Sequence, residues 1–254
     1  MPTFAETLNF ACMIQPAQIV EVRSPITGIL QHISVKAGSP ITKGQMLAQI
    51  ESSVEKSATQ TALYRSQMRG AVNTAKSKIE HAESKVHRMK QLFSEHFVSQ
   101  QAYEDAFHEL EQARSELQSA NEATKQAEYE HKQSKADLNR RTIYSPFNGV
   151  VIQQYFYAGS LVSPTEAKNP ILKIAQTDQF KVNAIIPLKY FDLIKKGQKI
   201  KLTPEPPFEK FTTLIELDHV DQVIDASSGT FSTGSTISSK HLQFPSGIRC
   251  KLSL

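Results

Sequence analysis

The sequence predicts a mixed α+β chain in which a small β-sandwich is interrupted by a long helical hairpin and followed by an antiparallel β-barrel. Two observations carry this prediction: a pair of matching β-rich segments, at residues 23–30 and 144–151, and a helix-rich composition between them. A third observation is the series of short apolar strands, bounded by turns, after Asp178. Such a series is typical of antiparallel barrels.

The two matching segments read RSPITGIL and YSPFNGVV. In each copy a Ser-Pro pair precedes a glycine, Gly28 or Gly149, and an alternating strand then leads to an Ala-Gly-Ser turn containing Gly38 or Gly159 at the same spacing. A repeat at fixed internal spacing indicates repeated structure. Each copy alone has too few strands to bury a core, so we expect the two copies to form one sandwich. The four glycines are then expected at equivalent turns that need backbone freedom.

Between the two copies, residues 52–138 contain no proline and a single glycine, Gly70, and are rich in Ala, Gln, Glu, Lys and Ser. This composition is typical of long helices. Apolar and small residues recur in steps of three and four along two seams, one from Val54 to Phe93 and one from Tyr103 to Leu138. Two such seams predict an antiparallel coiled coil about 60 Å long. Their phase breaks at residues 94–101, where Ser99 can cap the second helix.

Composition also excludes several classes of function. The net charge of +4 arises from 29 basic and 25 acidic residues spread along the chain, without the basic clusters that favour nucleic-acid binding. No stretch approaches the roughly 20 apolar residues of a membrane-spanning helix, and the N-terminal residues lack the basic and apolar regions of a signal peptide. We therefore expect no nucleic acid as a partner and no signal or anchor in this sequence.

The two cysteines, Cys12 and Cys250, lie near opposite ends of the sequence, which excludes a zinc knuckle or a CxxC redox motif. Two ordinary buried thiols are the simpler interpretation. The alternative is a disulfide that ties the first strand to the last, if the chain is exported and its ends meet. Lipidation of Cys12 is disfavoured because Asn9 stands where a lipobox requires an aliphatic residue.

No arrangement of residues predicts catalysis, a metal site or a cofactor. Signatures such as Gly-x-Ser-x-Gly, a phosphate loop and HExxH are absent, and Ser235 fits a barrel loop better than a nucleophile. A biotinyl or lipoyl carrier requires a lysine at the turn between its halves, where Val54 stands, and Lys56 is expected to be a solvated helix residue. Five histidines in the hairpin lack the close spacing of metal ligands and are expected at the surface: His81, His87, His96, His108 and His131. We predict a protein that is not an enzyme.

The order of β half, helical hairpin, β half and barrel resembles that of the HlyD-like membrane fusion proteins, the periplasmic adaptors of tripartite export pumps. The Ser-Pro-x-x-Gly halves look like the split lipoyl-like domain of that family. VSQQAYEDA at residues 98–106 looks like the start of its second hairpin helix, and LKIAQTDQFKVNAIIP at 172–187 looks like its passage into the barrel. The closing segments VDQVIDASSGTF and LQFPSGIRCKLSL are similar to the last strands of that barrel.

The resemblance implies a split lipoyl-like β-sandwich interrupted by an antiparallel coiled-coil hairpin and followed by an antiparallel β-barrel. The expected segments are an N-terminal strand that joins the barrel (1–19), two lipoyl-like halves (20–51 and 141–176), the hairpin (52–140) and the barrel (177–254). Many family members add a fourth, membrane-proximal domain and begin with a signal or an anchor, which we do not expect in this sequence.

The resemblance further implies a non-enzymatic adaptor in the periplasm, associated with the inner membrane, that serves the export of drugs or other substrates. Its implied partners are an inner-membrane transporter of RND, ABC or MFS type, a TolC-type outer-membrane channel, and further copies of itself in a hexameric ring. The alternatives are a biotinyl or lipoyl carrier protein and a structural coiled-coil scaffold.

One short motif at the hairpin tip is similar to the Arg, Leu and Ser pattern by which such adaptors engage the channel. Here it comprises Arg88, Leu92 and Ser99. An arginine can donate several hydrogen bonds, a leucine supplies an apolar knob, and a serine can bond across the tip. The plainer interpretation is a solvated Arg88, a Leu92 beside the seam and an N-cap Ser99.

Overall fold

The computed structural model describes residues 8–165, 169–240, 242 and 244–254, so the first seven residues of the expected N-terminal strand segment lie outside the described part. The chain divides into a helical unit, Glu51–Arg141, and a β unit formed by the chain on either side of it. The predicted fold class is confirmed: split β-sandwich, inserted helical hairpin and antiparallel barrel are all present.

The β unit contains the sandwich and the barrel. The first barrel strand is β1 (Asn9–Pro16). The strands of the sandwich are β2 (Ile19–Val22), β3 (Gly28–Ile33), β4 (Pro40–Ile41), β5 (Met46–Ile50), β6 (Thr142–Tyr144), β7 (Gly149–Gln154), β8 (Leu161–Val162) and β9 (Leu172–Gln176). The remaining barrel strands are β10 (Gln179–Pro187), β11 (Lys199–Pro204), β12 (Thr213–Glu216), β13 (His219–Val220), β14 (Thr230–Ser238) and β15 (Ile248–Ser253). Two short 3-10 helices lie at Leu188–Leu193 and Glu209–Phe211.

The two sheets of the sandwich exchange strands between the two sequence halves. One sheet has the order β2-β9-β7-β4 and the other the order β6-β5-β3-β8, so each takes two strands from either half. The two halves exchange equivalent backbone hydrogen bonds. The amide of Gly38 in the first half donates to the carbonyl of Val151 in the second at 2.8 Å, and the amide of Gly159 in the second half donates to the carbonyl of Leu30 in the first at 2.7 Å. A β-bulge follows Leu30 in one half and Val151 in the other. Neither half can therefore form its sheet without the other.

The sandwich encloses an apolar core drawn from both halves. Leu47 and Ile50 on β5, and Leu172 and Ile174 on β9, are fully buried. The other buried members of this core are Val22, Leu30, Val35, Ile41, Ala48, Phe147, Val151, Val162 and Ile171. At about 25 cal/mol per Å² of apolar surface removed from water, this burial is the main stabilising contribution to the sandwich.

The four repeated glycines fall into two kinds of position. Gly38 and Gly159 lie in turns with φ of 83° and 91°, a left-handed conformation that a side chain disfavours. Gly28 and Gly149 are instead the first residues of β3 and β7, which corrects the expectation that they also lie in turns. A Cβ atom on Gly149 would lie 1.9 Å from the carbonyl oxygen of Ala175, so this position needs glycine because β7 and β9 approach closely.

The seven-stranded sheet of the described barrel has the order β12-β11-β15-β1-β10-β14-β13. Its two edge strands, β12 and β13, are consecutive in sequence and separated only by Leu217 and Asp218, so the sheet must curl until its edges meet. β1 lies between β10 and β15, which places the N-terminal strand in the middle of this sheet. The core of the barrel consists mainly of Phe10, Ile14, Phe180, Val182, Ala184, Ile186, Ile194, Ile200, Leu202, Ile215, Phe231, Phe244 and Leu252.

The two cysteines meet in this sheet. Cys12 on β1 and Cys250 on β15 are register partners with Cα atoms 4.8 Å apart, and a disulfide joins them. Of the two interpretations that the sequence left open, the structure therefore has the disulfide between the first and the last strand rather than two free thiols.

The helical unit contains three helices, all in its described residues: α1 (Ser53–Gln67), α2 (Gly70–Ser94) and α3 (Gln100–Asn139). The predicted seam from Val54 to Phe93 assumed one continuous helix, and this is wrong at Met68. The backbone of Met68 is extended, so it separates α1 from α2. The guanidinium of Arg69 donates to the carbonyls of Ser66 at 2.8 Å and Met68 at 3.1 Å. These bonds satisfy carbonyl groups that the end of α1 leaves without helical partners.

The interior of the hairpin is thin. Most of its buried apolar side chains are alanines. The buried apolar residues of the helical unit are Val72, Ala75, Ala82, Ala106, Leu110 and Ala113. α3 runs unbroken beside both α1 and α2, so it supports the first arm across its break. At the far end of the first seam, Val54 is 71% exposed and contributes little to packing.

Candidate functional site at the hairpin tip

The turn between α2 and α3 is closed by a pair of capping hydrogen bonds. The amide of Phe97 donates to the carbonyl of Leu92 at 2.8 Å, and the amide of His96 donates to the carbonyl of Phe93 at 3.0 Å. His96 has a φ of 63°. This is a Schellman motif in which histidine occupies the left-handed position that glycine usually takes. The turn is therefore a defined structure, held at a cost of about 1 kcal/mol for the left-handed residue.

Ser99 begins the second arm as the N-cap of α3. Its Oγ accepts a hydrogen bond from the amide of Ala102 at 3.3 Å. A serine hydroxyl that accepts one bond still has a proton to donate. Capping and an external contact through Ser99 are thus compatible.

Arg88 and Leu92 lie on the last turns of α2. Arg88 is exposed and, among the residues that the structure describes, has no ion-pair partner. Leu92 is half-buried and lies four residues after Arg88, so the two side chains share one face of the helix. The structure therefore places Leu92 and Ser99 at the two ends of the same turn, with Arg88 one helical turn before Leu92.

Aromatic residues at the tip were missed by the sequence analysis. Phe97 in the turn is 75% exposed, and Phe93 stacks on Tyr103 with ring centroids 5.9 Å apart. An exposed aromatic side chain supplies a large apolar contact at low entropic cost. The signal was available, because Phe97 stands where the heptad phase breaks and no seam position accounts for it.

Behind the tip, ion pairs join the two arms. Lys78 contacts Glu116 at 2.6 Å, and one heptad nearer the tip Lys85 contacts Glu109. In each pair the hydrogen bond from the lysine, and then its charge, hold the pKa of the glutamate below its usual value. Because the four side chains are exposed, these pairs contribute little to stability, yet they set the register of one arm against the other.

Other candidate chemistry does not gather at one place. Within the described residues, no three His, Cys, Asp or Glu side chains lie close enough together to hold a metal ion. None of the described helices combines the length and the apolar character needed to cross a membrane. Lys56 is an exposed residue of α1, and the turn in which a carrier domain would present its lysine is replaced by the helical unit.

The exchanged sandwich, the hairpin inserted between its halves and the barrel define a barrel-sandwich hybrid protein. The family described as CzcB-like, barrel-sandwich hybrid domain matches residues 18–176, and the chain belongs to this family. The resemblance to membrane fusion proteins is thereby confirmed. A search of curated protein sequences finds no match.

Solved structures of membrane fusion proteins share this fold. MacA from Actinobacillus actinomycetemcomitans has a TM-score of 0.76 at 21% identity, covering 97% of this chain and 78% of that chain. The membrane fusion protein Spr0693 from Streptococcus pneumoniae R6 has a TM-score of 0.64 at 16% identity, covering 96% and 97%. A MacA-MexA chimera that contains the hairpin of Pseudomonas aeruginosa MexA has a TM-score of 0.58 at 19% identity, covering 97% and 80%.

Proposed function

We propose that this chain is the periplasmic adaptor of an export pump, which couples an inner-membrane transporter to a TolC-type outer-membrane channel. The observation that carries the proposal is the helical hairpin inserted into a sandwich that both flanking segments must complete. Because the hairpin is tied to the sandwich at both of its ends, load on its tip is transmitted to a folded β-domain and not to a free chain end.

The disulfide between Cys12 and Cys250 supports a location in the periplasm. Disulfides persist in oxidising compartments and are rare in the cytosol. In the proposed arrangement the barrel, with the bounds 177–254, lies toward the transporter, and several copies, six by resemblance to the family, form a ring. The inner-membrane transporter in this proposal is of RND, ABC or MFS type.

The contact with the channel is proposed to lie at Arg88, Leu92 and Ser99, with Phe97 as a fourth member. What supports this proposal is the state of their side chains. Arg88 makes no ion pair with any residue that the structure describes, the capping hydroxyl of Ser99 acts only as an acceptor toward Ala102, and Phe97 exposes three quarters of its surface. A channel surface that presents carboxylates or carbonyl groups around an apolar pocket would fit these side chains.

The experiment places a photoreactive phenylalanine at position 97 and irradiates cells that contain the complete pump. The expected product is a crosslink to an outer-membrane protein, identified by mass spectrometry. The matched control carries the same group at Tyr64 of α1, which is 66% exposed and distant from the tip. Equal crosslinking from both positions, or none to an outer-membrane protein, would contradict the tip assignment.

A second experiment compares function with stability. Arg88→Asp combined with Leu92→Asp is expected to abolish export while the chain stays folded and helical. The exposed charge of Arg88 contributes little to folding, and the half-buried Leu92 lies at the end of α2, so the melting temperature should fall only slightly. Arg65→Asp combined with Val54→Asp is the matched control, since both residues are exposed on α1. Full export by the folded tip variant would return Arg88 to the role of a solvated residue and Leu92 to that of a residue beside the seam.

A further inference from the structure

The disulfide between Cys12 and Cys250 lies in the interior of the barrel. Side chains alternate along a strand, and Phe10, Cys12 and Ile14 of β1 are all buried. On β15 the buried side chains are Cys250 and Leu252, and Leu252 is the register partner of Phe10. Cys12 is 6% exposed and Cys250 is 1% exposed. Large apolar side chains therefore flank the bond along the strands and keep solvent from its sulfur atoms.

Neighbouring strands enclose the bond in the other direction. Cys12 is the register partner of Ala184 on β10, and Cys250 is the register partner of Pro204 on β11. Both of these partners are buried. β1 and β15 are interior strands of the seven-stranded sheet, whose edges are β12 and β13. A thiol that attacks either sulfur atom must therefore first separate strands of the folded barrel.

The bond also has a simple connectivity. It joins residues 238 positions apart, and the chain between them contains the whole sandwich and the helical hairpin. Cys12 and Cys250 are the only cysteines in the sequence, so a single intramolecular pairing exists. Because an incorrect intramolecular disulfide cannot form, closure of the bond requires an oxidant but no later rearrangement.

We propose that this chain is the substrate of a protein dithiol oxidase, a partner that carries a reactive disulfide of its own and acts before the barrel closes. Once the barrel has formed, the bond between Cys12 and Cys250 is a structural crosslink and not a redox switch, because regulatory disulfides need accessible sulfur atoms. The inference concerns the maturation of the barrel, so it goes beyond the adaptor role and does not depend on it.

The reaction is two successive thiol–disulfide exchanges. The thiolate of one cysteine attacks the disulfide of the oxidase, which forms a mixed disulfide and releases one thiolate of the oxidase. The thiolate of the other cysteine then attacks the sulfur atom of the chain in this mixed disulfide, which closes the bond between Cys12 and Cys250 and releases the second thiolate. Two electrons pass from the chain to the oxidase, and the two protons of the cysteine thiols go to the two released thiolates.

The order of events follows from access to the sulfur atoms. Exchange needs a thiolate that reaches the partner, and an apolar core disfavours the thiolate as well as excluding the partner. In the closed barrel both cysteines are buried, and their strands are paired on both sides. In the open chain both thiols are free to react. The oxidase is therefore expected to act on the open chain, and the crosslink then holds β1 against β15.

The first experiment measures access to the disulfide in the full chain. The oxidised chain is treated with dithiothreitol, with and without a denaturing concentration of urea, and free thiols are alkylated and counted by intact mass. Reduction without urea is expected to be about a hundredfold slower or more, because it must wait for the barrel to open. Equal rates in the folded and the unfolded chain would overturn the inference and make the bond a redox switch.

The second experiment tests the order of events. The chain is reduced in urea and diluted into native buffer, and a purified dithiol oxidase is added either at dilution or after the circular dichroism signal has become constant. Closure of the bond is expected to be about tenfold slower or more after folding. A reduced chain that folds only once it is oxidised would also support the proposal. Equal rates on the open and the folded chain would contradict it.

The third experiment identifies the class of enzyme. The chain is directed by a signal peptide to the periplasm of Gram-negative hosts that are complete, lack the dithiol oxidase or lack the disulfide isomerase. We expect reduced chain in a smaller amount without the oxidase, and the normal amount of oxidised chain without the isomerase. Cys12→Ala combined with Cys250→Ala is the matched control, and its amount should be the same in all three hosts.

The same control variant measures what the crosslink contributes. Because the bond closes a very long loop, the ratio of folded to unfolded chain should be about a hundredfold lower in the variant than in the oxidised chain, measured by urea denaturation. Normal closure of the bond in the host without the oxidase, or closure that requires the isomerase, would overturn the inference. None of these measurements involves export, so their outcome is independent of the adaptor proposal.

Discussion

The sandwich and the hairpin are held together by different forces. The sandwich buries large branched side chains, such as Leu47, Leu172 and Ile174, which are fully inaccessible to solvent. In the hairpin, described in full, four of the six buried apolar side chains are alanines. The sandwich therefore depends on apolar burial and on close approach of its strands, whereas the hairpin depends mainly on helix formation, and its ion pairs set the register of the two arms.

This difference shows how the two regions would divide the work of the proposed adaptor. A well-packed sandwich with exchanged strands resists deformation, because each sheet needs both sequence halves. The hairpin buries few large apolar side chains, so it gains less from apolar burial than the sandwich and would be stabilised by a partner packed against its exposed faces. Comparable substitutions should accordingly change the free energy of unfolding more in the sandwich than in the hairpin.

The largest expected effect on folding comes from Gly149→Ala. The new Cβ atom would lie 1.9 Å from the carbonyl oxygen of Ala175, so β7 and β9 must separate. We expect the free energy of unfolding of the β unit to fall by about 4 kcal/mol or more. Urea denaturation followed by circular dichroism measures the change.

Gly38→Ala is the matched control for this effect. Gly38 has a φ of 83°, and a Cβ atom there would meet no atom within 4 Å, so only backbone strain of about 1–2 kcal/mol is added. Equal destabilisation by the two substitutions would show that close strand approach at Gly149 is not what requires glycine.

These glycines also show what the sequence could and could not reveal about the fold. The repeated Ser-Pro-x-x-Gly segments correctly indicated two halves of one sandwich. They could not indicate that Gly149 begins a strand, because turn and close approach both select glycine in a single sequence. Nor could they indicate the exchange of strands between sheets, which depends on pairings between residues more than a hundred positions apart, such as Pro40 with Val150.

The second effect compares one leucine in each region. Leu47→Ala in the sandwich removes a fully buried side chain from a rigid surround and should cost about 3–4 kcal/mol of unfolding free energy. Leu110→Ala in the hairpin should cost about 2 kcal/mol, because two helices with alanine neighbours can close part of the gap. Urea midpoints of the two variants measure the difference. If Leu110→Ala costs as much as Leu47→Ala, the hairpin depends on apolar burial as the sandwich does.

The sequence predicted the two arms of the hairpin but not the break in the first arm. The heptad seams and the cap at Ser99 could be predicted because both are local sequence patterns. The break at Met68 could not be predicted, because one glycine, Gly70, is compatible with a continuous helix. The hydrogen bonds at the end of α1 come from the side chain of Arg69, which a heptad pattern does not reveal.

A smaller effect of opposite sign is expected at this break. Gly70 is the first residue of α2, and a Cβ atom there would meet no atom within 4 Å. Gly70→Ala should therefore stabilise the hairpin by about 0.5 kcal/mol, because alanine loses less backbone entropy in a helix. Thermal melting followed at 222 nm measures this change. A loss of stability instead would indicate that the break needs glycine.

The smallest effect concerns acid. Hydrogen bonds from Lys85 and Lys78 lower the pKa of Glu109 and Glu116 in the folded chain below the ordinary value of 4.5. A carboxyl group with a depressed folded pKa stabilises the fold above its unfolded pKa and loses that contribution as the pH falls through its folded pKa. The melting temperature of the hairpin should thus decline as the pH is lowered from about 5 to about 3.

Glu109→Gln combined with Glu116→Gln isolates this contribution. The variant should melt lower than the unaltered chain at neutral pH, and its melting temperature should fall less steeply below about pH 5 because the two linked protons are gone. Part of the decline should persist, since a hydrogen bond from the Ser53 hydroxyl also lowers the pKa of Glu51 at the base of the hairpin. Glu130→Gln, which removes one charge outside the cross-arm pairs, is the control. An acid dependence as steep in the double variant as in the unaltered chain would show that the cross-arm pairs set register without contributing to stability.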